Sequence, residues 1–261
     1  MKKLFALVMA SLMVMMCFAG CGGAKDGSDL QYIKDKGKFV VGITEYEPMD
    51  YKDENGQWTG FDAELSRLFA QELGVECEFF LLADWGQKFN ELKDKNIDAI
   101  WNGMTISDDV RANTSCSDPY VVNAQVIVMK ADRVADYPDA ESVKDLQFAV
   151  EDGSVAEEVL DGMGITDYLK LQDMAMALLE VSSGTADACV IDITMAGAVI
   201  GEGTGYPDLA QGISLTQEQY GVGFRQGSDV TKVFNEFMDK LMADGTLDAL
   251  AQKYQLTLVK D

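Results

Sequence analysis

Ile97-Asp98-Ala99-Ile100-Trp101 and Ala186-Asp187-Ala188-Cys189-Val190-Ile191 repeat one pattern, an Asp-Ala pair at the mouth of a short apolar run. Runs of this kind, bounded by turn residues, read as strands buried on both faces. A helical stretch precedes each: Gln87 to Lys95, with Phe89 and Leu92, before the first, and Met174 to Val181, leading in through Ser182-Ser183-Gly184, before the second. Two related units predict two similar α/β lobes. Asp98 and Asp187 are read as structural turn caps. Functional positions are expected at the far, carboxyl ends of the strands, where open α/β sheets place their ligands.

Outward from these units the alternation continues. Phe39-Val40-Val41-Gly42-Ile43 is a strand. Phe61 to Leu73 has helical apolar spacing at Leu65, Leu68, Phe69 and Leu73 and stops at Gly74, and Val75 to Leu82 is a second strand. Asn55-Gly56 marks a turn. Alternating strands and helices predict an α/β protein with mainly parallel sheets. Tyr120 to Lys130 and the late run Tyr220-Gly221-Val222-Gly223-Phe224 both read as crossings between lobes. The second lobe is then an insertion, 125–220, into a first lobe of 37–124 plus 221–261, and two crossings make a hinge. Helices are expected over Val230 to Ala243, with Val233, Phe234, Phe237 and Leu241 on one face, and over Leu247 to Tyr254. Gly201 to Gly212 is turn-rich and reads as surface loop.

The chain starts with Lys2-Lys3, an apolar run from Leu4 to Ala19, and then Gly20-Cys21 before polar residues. A basic start and a short apolar stretch, below the ~20 residues of a membrane-spanning helix, make an export leader over 1–20. The small residues before Cys21 resemble a bacterial lipoprotein signal, with Phe18 where leucine is usual. Cleavage would make Cys21 the first residue and its lipid carrier, followed by a flexible linker over 21–36, and acylation anchors a protein without spanning the bilayer. The rest is long enough to bury roughly 70% of its unfolded surface. The full chain's net charge is −23, and it is more negative still once Lys2 and Lys3 leave. Such a body is repelled by nucleic acid and anionic lipid, so only the tether would hold it at a membrane. Absence of histidine removes the commonest metal ligand and general base, which disfavours hydrolysis and metal binding. Cys77, Cys116 and Cys189 form an odd, widely spaced set in which a bridge between two is open.

Strings along residues 38 to 256 resemble the extracellular solute-binding proteins of polar amino acid ABC transporters. They are Gly60-Phe61-Asp62-Ala63-Glu64-Leu65, Leu92-Lys93-Asp94-Lys95-Asn96-Ile97-Asp98-Ala99, Gly103-Met104-Thr105-Ile106-Ser107, Ser117-Asp118-Pro119-Tyr120, Ser142-Val143-Lys144-Asp145-Leu146, Ala186-Asp187-Ala188 with Asp192, and Gly227-Ser228-Asp229. The resemblance implies a periplasmic-binding-protein-like fold of type II, closing over one small ligand and docking on a permease driven by a cytoplasmic ATPase. No cofactor is implied, and a monomer is expected.

A free amino acid needs an anion for its ammonium and cations or N–H donors for its carboxylate. By resemblance, Asp192 binds the ammonium, and Gly103 and Thr105 lie around the α-amino and α-carboxyl groups. Ser154 offers N–H groups at a helix start, where anions are favoured. Tyr46 and Trp85 fall where aromatics stack on the ligand. Asn102 and Gln125 are candidate polar contacts, and Glu151 sits where relatives touch the ligand's distal end. With Asp192 it makes the cleft acidic, which favours a cationic or hydrogen-bond-donating side chain. The family's carboxylate-clamping arginine would fall at Val110, with Arg111 one place late. Three outcomes stay open: a bulge lets Arg111 reach the cleft, amides and hydroxyls alone hold the carboxylate, or the ligand is no ordinary α-amino acid.

The function expected is a lipid-anchored, extracytoplasmic protein that captures a polar amino acid, cationic ones included, for an ABC importer and is not an enzyme. The alternatives are a non-amino-acid cation or zwitterion as ligand, or a dehydratase using Glu151 or Asp192 as base on the same fold. A receptor that signals without transport is a further class.

Overall fold

The computed structural model describes residues 27–260. The expected leader and Cys21 lie outside them. Two five-stranded sheets define two lobes of an α/β fold. The first runs, in spatial order, Glu76–Leu81, Lys38–Ile43, Ala99–Ile100, Gly223–Phe224, Ser115–Cys116. The second runs Tyr168–Leu171, Phe148–Glu151, Ala188–Asp192, Gln125–Lys130, Leu209–Ser214. In each, the first three strands are parallel and the fourth is antiparallel. That fourth strand is the one arriving from the other lobe. Between the sheets, Val121–Asn123 and Glu218–Tyr220 pair antiparallel, with Glu218 opposite Asn123, and form the two-stranded hinge.

The Asp-Ala mouths behave alike in the two lobes. The Asp98 carboxylate accepts from the Val40 N–H and pairs with Arg225 and Lys36, while that of Asp187 accepts from the Gln147 N–H and pairs with Arg133. Each carboxylate thus pins the start of a neighbouring strand, a structural task.

Helix Val230–Ala243 carries Phe234, Phe237, Met238 and Leu241 at helical spacing and turns them into the first lobe's core. Phe234 meets Trp101 edge-on at 4.9 Å and Phe69 at 5.2 Å between ring centroids, and Phe39 caps Phe69 at 5.3 Å. Rings at these separations add to the burial of their area. The second lobe's inner core is mostly aliphatic, with Ile127, Val143, Val150, Leu160 and Val190 packed around Phe148.

Two expectations need correction. The stretch read as linker is folded from Asp29: helix Asp29–Lys36 is capped by the Ser28 hydroxyl and ended by Gly37 at φ +74°, and it buries Ile33. Asp29 also pairs with Arg225. Within the supposed loop, Leu209–Ser214 forms the edge strand of the second sheet, with a register shift between Gln211 and Ser214 that hides the period-two pattern. The run Tyr120 to Lys130 is two strands, broken at Ala124. Cys77, Cys116 and Cys189 are all free thiols.

Candidate functional site

A cavity of about 40 Å³ lies between the lobes at the carboxyl ends of both sheets. From the first lobe, Trp85 follows strand Glu76–Leu81, and Asn102, Gly103 and Thr105 follow strand Ala99–Ile100. From the second, Glu151 and Asp192 end their strands, Gln125 stands opposite Asp192, and Ser154 starts helix Val155–Gly162. All eight line the cavity.

Asp192 is the centre of its polar network. One carboxylate oxygen accepts from the Asn123 amide at 2.5 Å and the Gln125 amide at 2.6 Å. The same two amides reach Glu218 at 3.2 and 3.1 Å, and the Thr105 hydroxyl donates to Glu218 at 2.9 Å. Two carboxylates therefore share donors at the hinge. Burial, with the charge of Glu218 added, pushes the Asp192 carboxyl up to about 7, against the amides that favour its ionised form. Glu151 is also buried, and one of its oxygens has no hydrogen-bond partner. Burial and then Asp192 hold its carboxyl well above the usual range, with Lys88 opposing.

Other residues have different tasks. The Asn102 side chain touches the cavity but its amide is committed to Thr44, accepting from the N–H at 3.1 Å and donating to the hydroxyl at 2.7 Å. Gly103 has φ +57°, and a Cβ there would lie 2.6 Å from the Tyr46 ring, so only glycine fits. Its N–H donates to buried Asp62 at 2.7 Å. Ser154 donates to the Glu151 carbonyl at 2.7 Å.

Two predicted residues are not on the cavity wall. Tyr46 is buried, and its hydroxyl bonds the hydroxyls of Thr194 and Tyr220, tying the first lobe to the second and to the hinge. Arg111 is exposed. Helix Asp108–Asn113 is regular and capped by Ser107, so residues 110 and 111 differ by about 100° in direction. Val110 points into the cavity wall and Arg111 away from it. No bulge rescues the arginine.

Sequence reasoning missed Asn123, Glu218 and Lys88. The first two become visible only once the hinge strands are paired in register. Lys88 is buried on the cavity wall although it reads as an ordinary surface charge at a helix start.

The lobes meet above the cavity at Gly86 and Gly153. A Cβ on Gly153 would lie 2.6 Å from the Gly86 Cα. This arrangement is a cleft closed over a small polar cavity.

The sequence pattern of the bacterial extracellular solute-binding proteins, family 3, matches residues 39–257. The chain belongs to this family. Among its relatives, the L-cystine-binding protein TcyJ of Escherichia coli strain K12 is 27% identical over 97% of both chains. The arginine-binding extracellular protein ArtP of Bacillus subtilis strain 168 is 27% identical over 97% of this chain and 98% of its own. Of solved structures, the ancestral amino acid-binding protein AncCDT-1, a precursor of cyclohexadienyl dehydratase, superposes with a TM-score of 0.79 at 30% identity, covering 87% of this chain and 99% of its own. A mutant of arginine-bound ArgBP from T. maritima gives 0.75 at 29% identity, covering 81% and 99%. Members of this family bind solutes outside the cytoplasm, which fits a cleft between hinged lobes.

Proposed function

We propose that this protein captures a polar amino acid between its lobes and delivers it to the permease of an ABC importer, acting as a monomer tethered outside the membrane by lipid on Cys21. The observation that carries the reading is the buried Asp192 carboxylate, facing an interlobe cavity and held by Asn123 and Gln125. A carboxylate in that position is completed by a ligand ammonium, which supplies the charge that burial withholds. Names of relatives that bind cystine and arginine support the class of ligand.

The moving bodies in this reading are 37–124 with 221–261, and 125–220. Ligand contacts from Trp85, Gly103 and Thr105 on one body and Gln125, Glu151, Ser154 and Asp192 on the other favour the closed state, which the permease reads. Closure needs no chemistry. A bound solute recovered unchanged and in stoichiometric amount separates this reading from a dehydratase on the same fold.

The test is a calorimetric and thermal-shift titration with the protein amino acids and L-cystine, on wild type and Asp192→Asn. Binding by wild type, lost by at least about thirtyfold in the variant, is expected from removal of a buried charge partner. No binding of any amino acid refutes the reading. Mass spectrometry of membrane-extracted protein, with and without Cys21→Ala, tests the anchor.

A further inference from the structure

Among the described residues, the cavity wall holds one buried cation, Lys88, that no carboxylate neutralises at contact distance. Lys88 is 5% exposed and opens helix Lys88–Lys93. Its Nζ donates to the Gly153 carbonyl across the cleft at 2.9 Å and, weakly, to the Trp85 carbonyl at 3.4 Å. The same nitrogen lies 4.8 Å from the Trp85 ring centroid and 4.7 Å from that of Phe89. An ammonium has three N–H donors, so at most two are used and both go to neutral carbonyls. A buried ammonium without an anion is costly. Burial pushes its pKa down, and the carboxylates that oppose this, Glu151 first and then Asp109, Asp84 and Glu158, act at a distance.

The cavity accordingly has two polar regions. Asp192 and Glu218 share donors at the hinge, Lys88 stands beside the Gly86–Gly153 seam, and the unpartnered Glu151 feels both Asp192 and Lys88. A zwitterion complements that layout. Helix Asp108–Asn113 presents Val110 rather than a guanidinium to the cavity, which leaves a ligand carboxylate without a counter-charge from that side.

We infer that Lys88 is the carboxylate-binding residue of this cleft, taking over the task that a guanidinium at position 110 would have had. The inference rests on the amino-acid reading above and names the group that makes the site select acids over amines. A lysine offers a compact point charge instead of a planar fork, so it holds a carboxylate with less demand on orientation. Its simultaneous bond to Gly153 couples carboxylate binding to closure.

The experiment compares each amino acid that binds wild type with its own carboxamide, which keeps the ammonium and loses the negative charge. Wild type should bind the acid about thirtyfold or more tightly than the amide. In Lys88→Met both should weaken as the bond to Gly153 is lost, but the acid by about thirtyfold more than the amide, so the ratio falls toward one. Lys88→Gln, which keeps a donor for the Gly153 carbonyl but no charge, should show the same collapse. Lys88→Met combined with Val110→Arg should restore acid preference. If acid and amide weaken by the same factor in Lys88→Met and Lys88→Gln, so that the wild-type ratio is kept, or if wild type does not prefer acids, Lys88 is only a tie between lobes and the inference is overturned, while amino-acid binding stands. If wild type binds no amino acid, the functional reading fails first and takes the inference with it.

Discussion

Gly153→Ala should separate affinity from folding in a way fixed by the seam. The new Cβ would sit 2.6 Å from the Gly86 Cα and 3.1 Å from the Gly86 nitrogen, both main-chain atoms that cannot rotate away. Carbon atoms need about 3.5 Å, so the lobes must part by about 1 Å. That movement stretches the 2.9 Å bond from Lys88 to the Gly153 carbonyl toward its limit. Loss of a charge-assisted hydrogen bond costs about 1.5–3 kcal/mol, or roughly ten- to a hundredfold in affinity. Gly153 also has φ +69°, where alanine pays about 1–2 kcal/mol. This second cost falls on open and closed states alike, so it lowers the melting temperature without touching affinity. Gly86→Ala serves as control, since its Cβ would first meet side-chain oxygens of Asp84 at 3.1 Å and Asp152 at 3.5 Å, which can yield. Calorimetry gives the affinities and small-angle scattering the ligand-induced contraction. A folded Gly153→Ala protein that binds and contracts like wild type would refute the argument.

The Asp192 carboxyl is raised from 3.8 to about 7, so it favours the folded state while protonated; this contribution is full below about 3.8 and is lost as pH rises through about 7. The difference in unfolding free energy between wild type and Asp192→Asn should therefore slope across that window, and ligand affinity should fall as pH drops below about 7; flat curves contradict the assignment. Comparison with the variant matters because buried Asp62 is also raised to about 7. Phe234→Ala, at the centre of the aromatic cluster, should cost about 3–5 kcal/mol in urea unfolding. Arg111→Ala, at an exposed helix end, should change stability by less than about 0.5 kcal/mol and leave calorimetric affinity unchanged.

The fold was legible where burial forces a pattern. Apolar runs behind Asp98 and Asp187 announced the parallel strands, and the face of helix Val230–Ala243 announced the core, because these periods follow from backbone geometry. Strand Leu209–Ser214 was not legible, since a half-exposed edge tolerates glycine and a register shift. At the site, Asp192 was legible from its place at a strand end and from the family resemblance, and Glu151 and Gln125, offered as ligand contacts, also line the cavity. The failures were of two kinds. Arg111 was placed by distance along the chain, whereas a capped helix turns one residue of displacement through about 100°, off the cavity wall. Lys88 and Glu218 look like solvated charges, and only the folding of distant segments buries the first and brings amide donors to the second.

The reversed fourth strand in each sheet makes the two lobes unequal as pieces of chain. All strands of the second sheet come from one continuous stretch, 125–214, whereas the first sheet stays incomplete until Gly223–Phe224 slots between Ala99–Ile100 and Ser115–Cys116. During synthesis the half emerging first from the ribosome must wait for the half emerging last. The inserted half can be assembled in the interval.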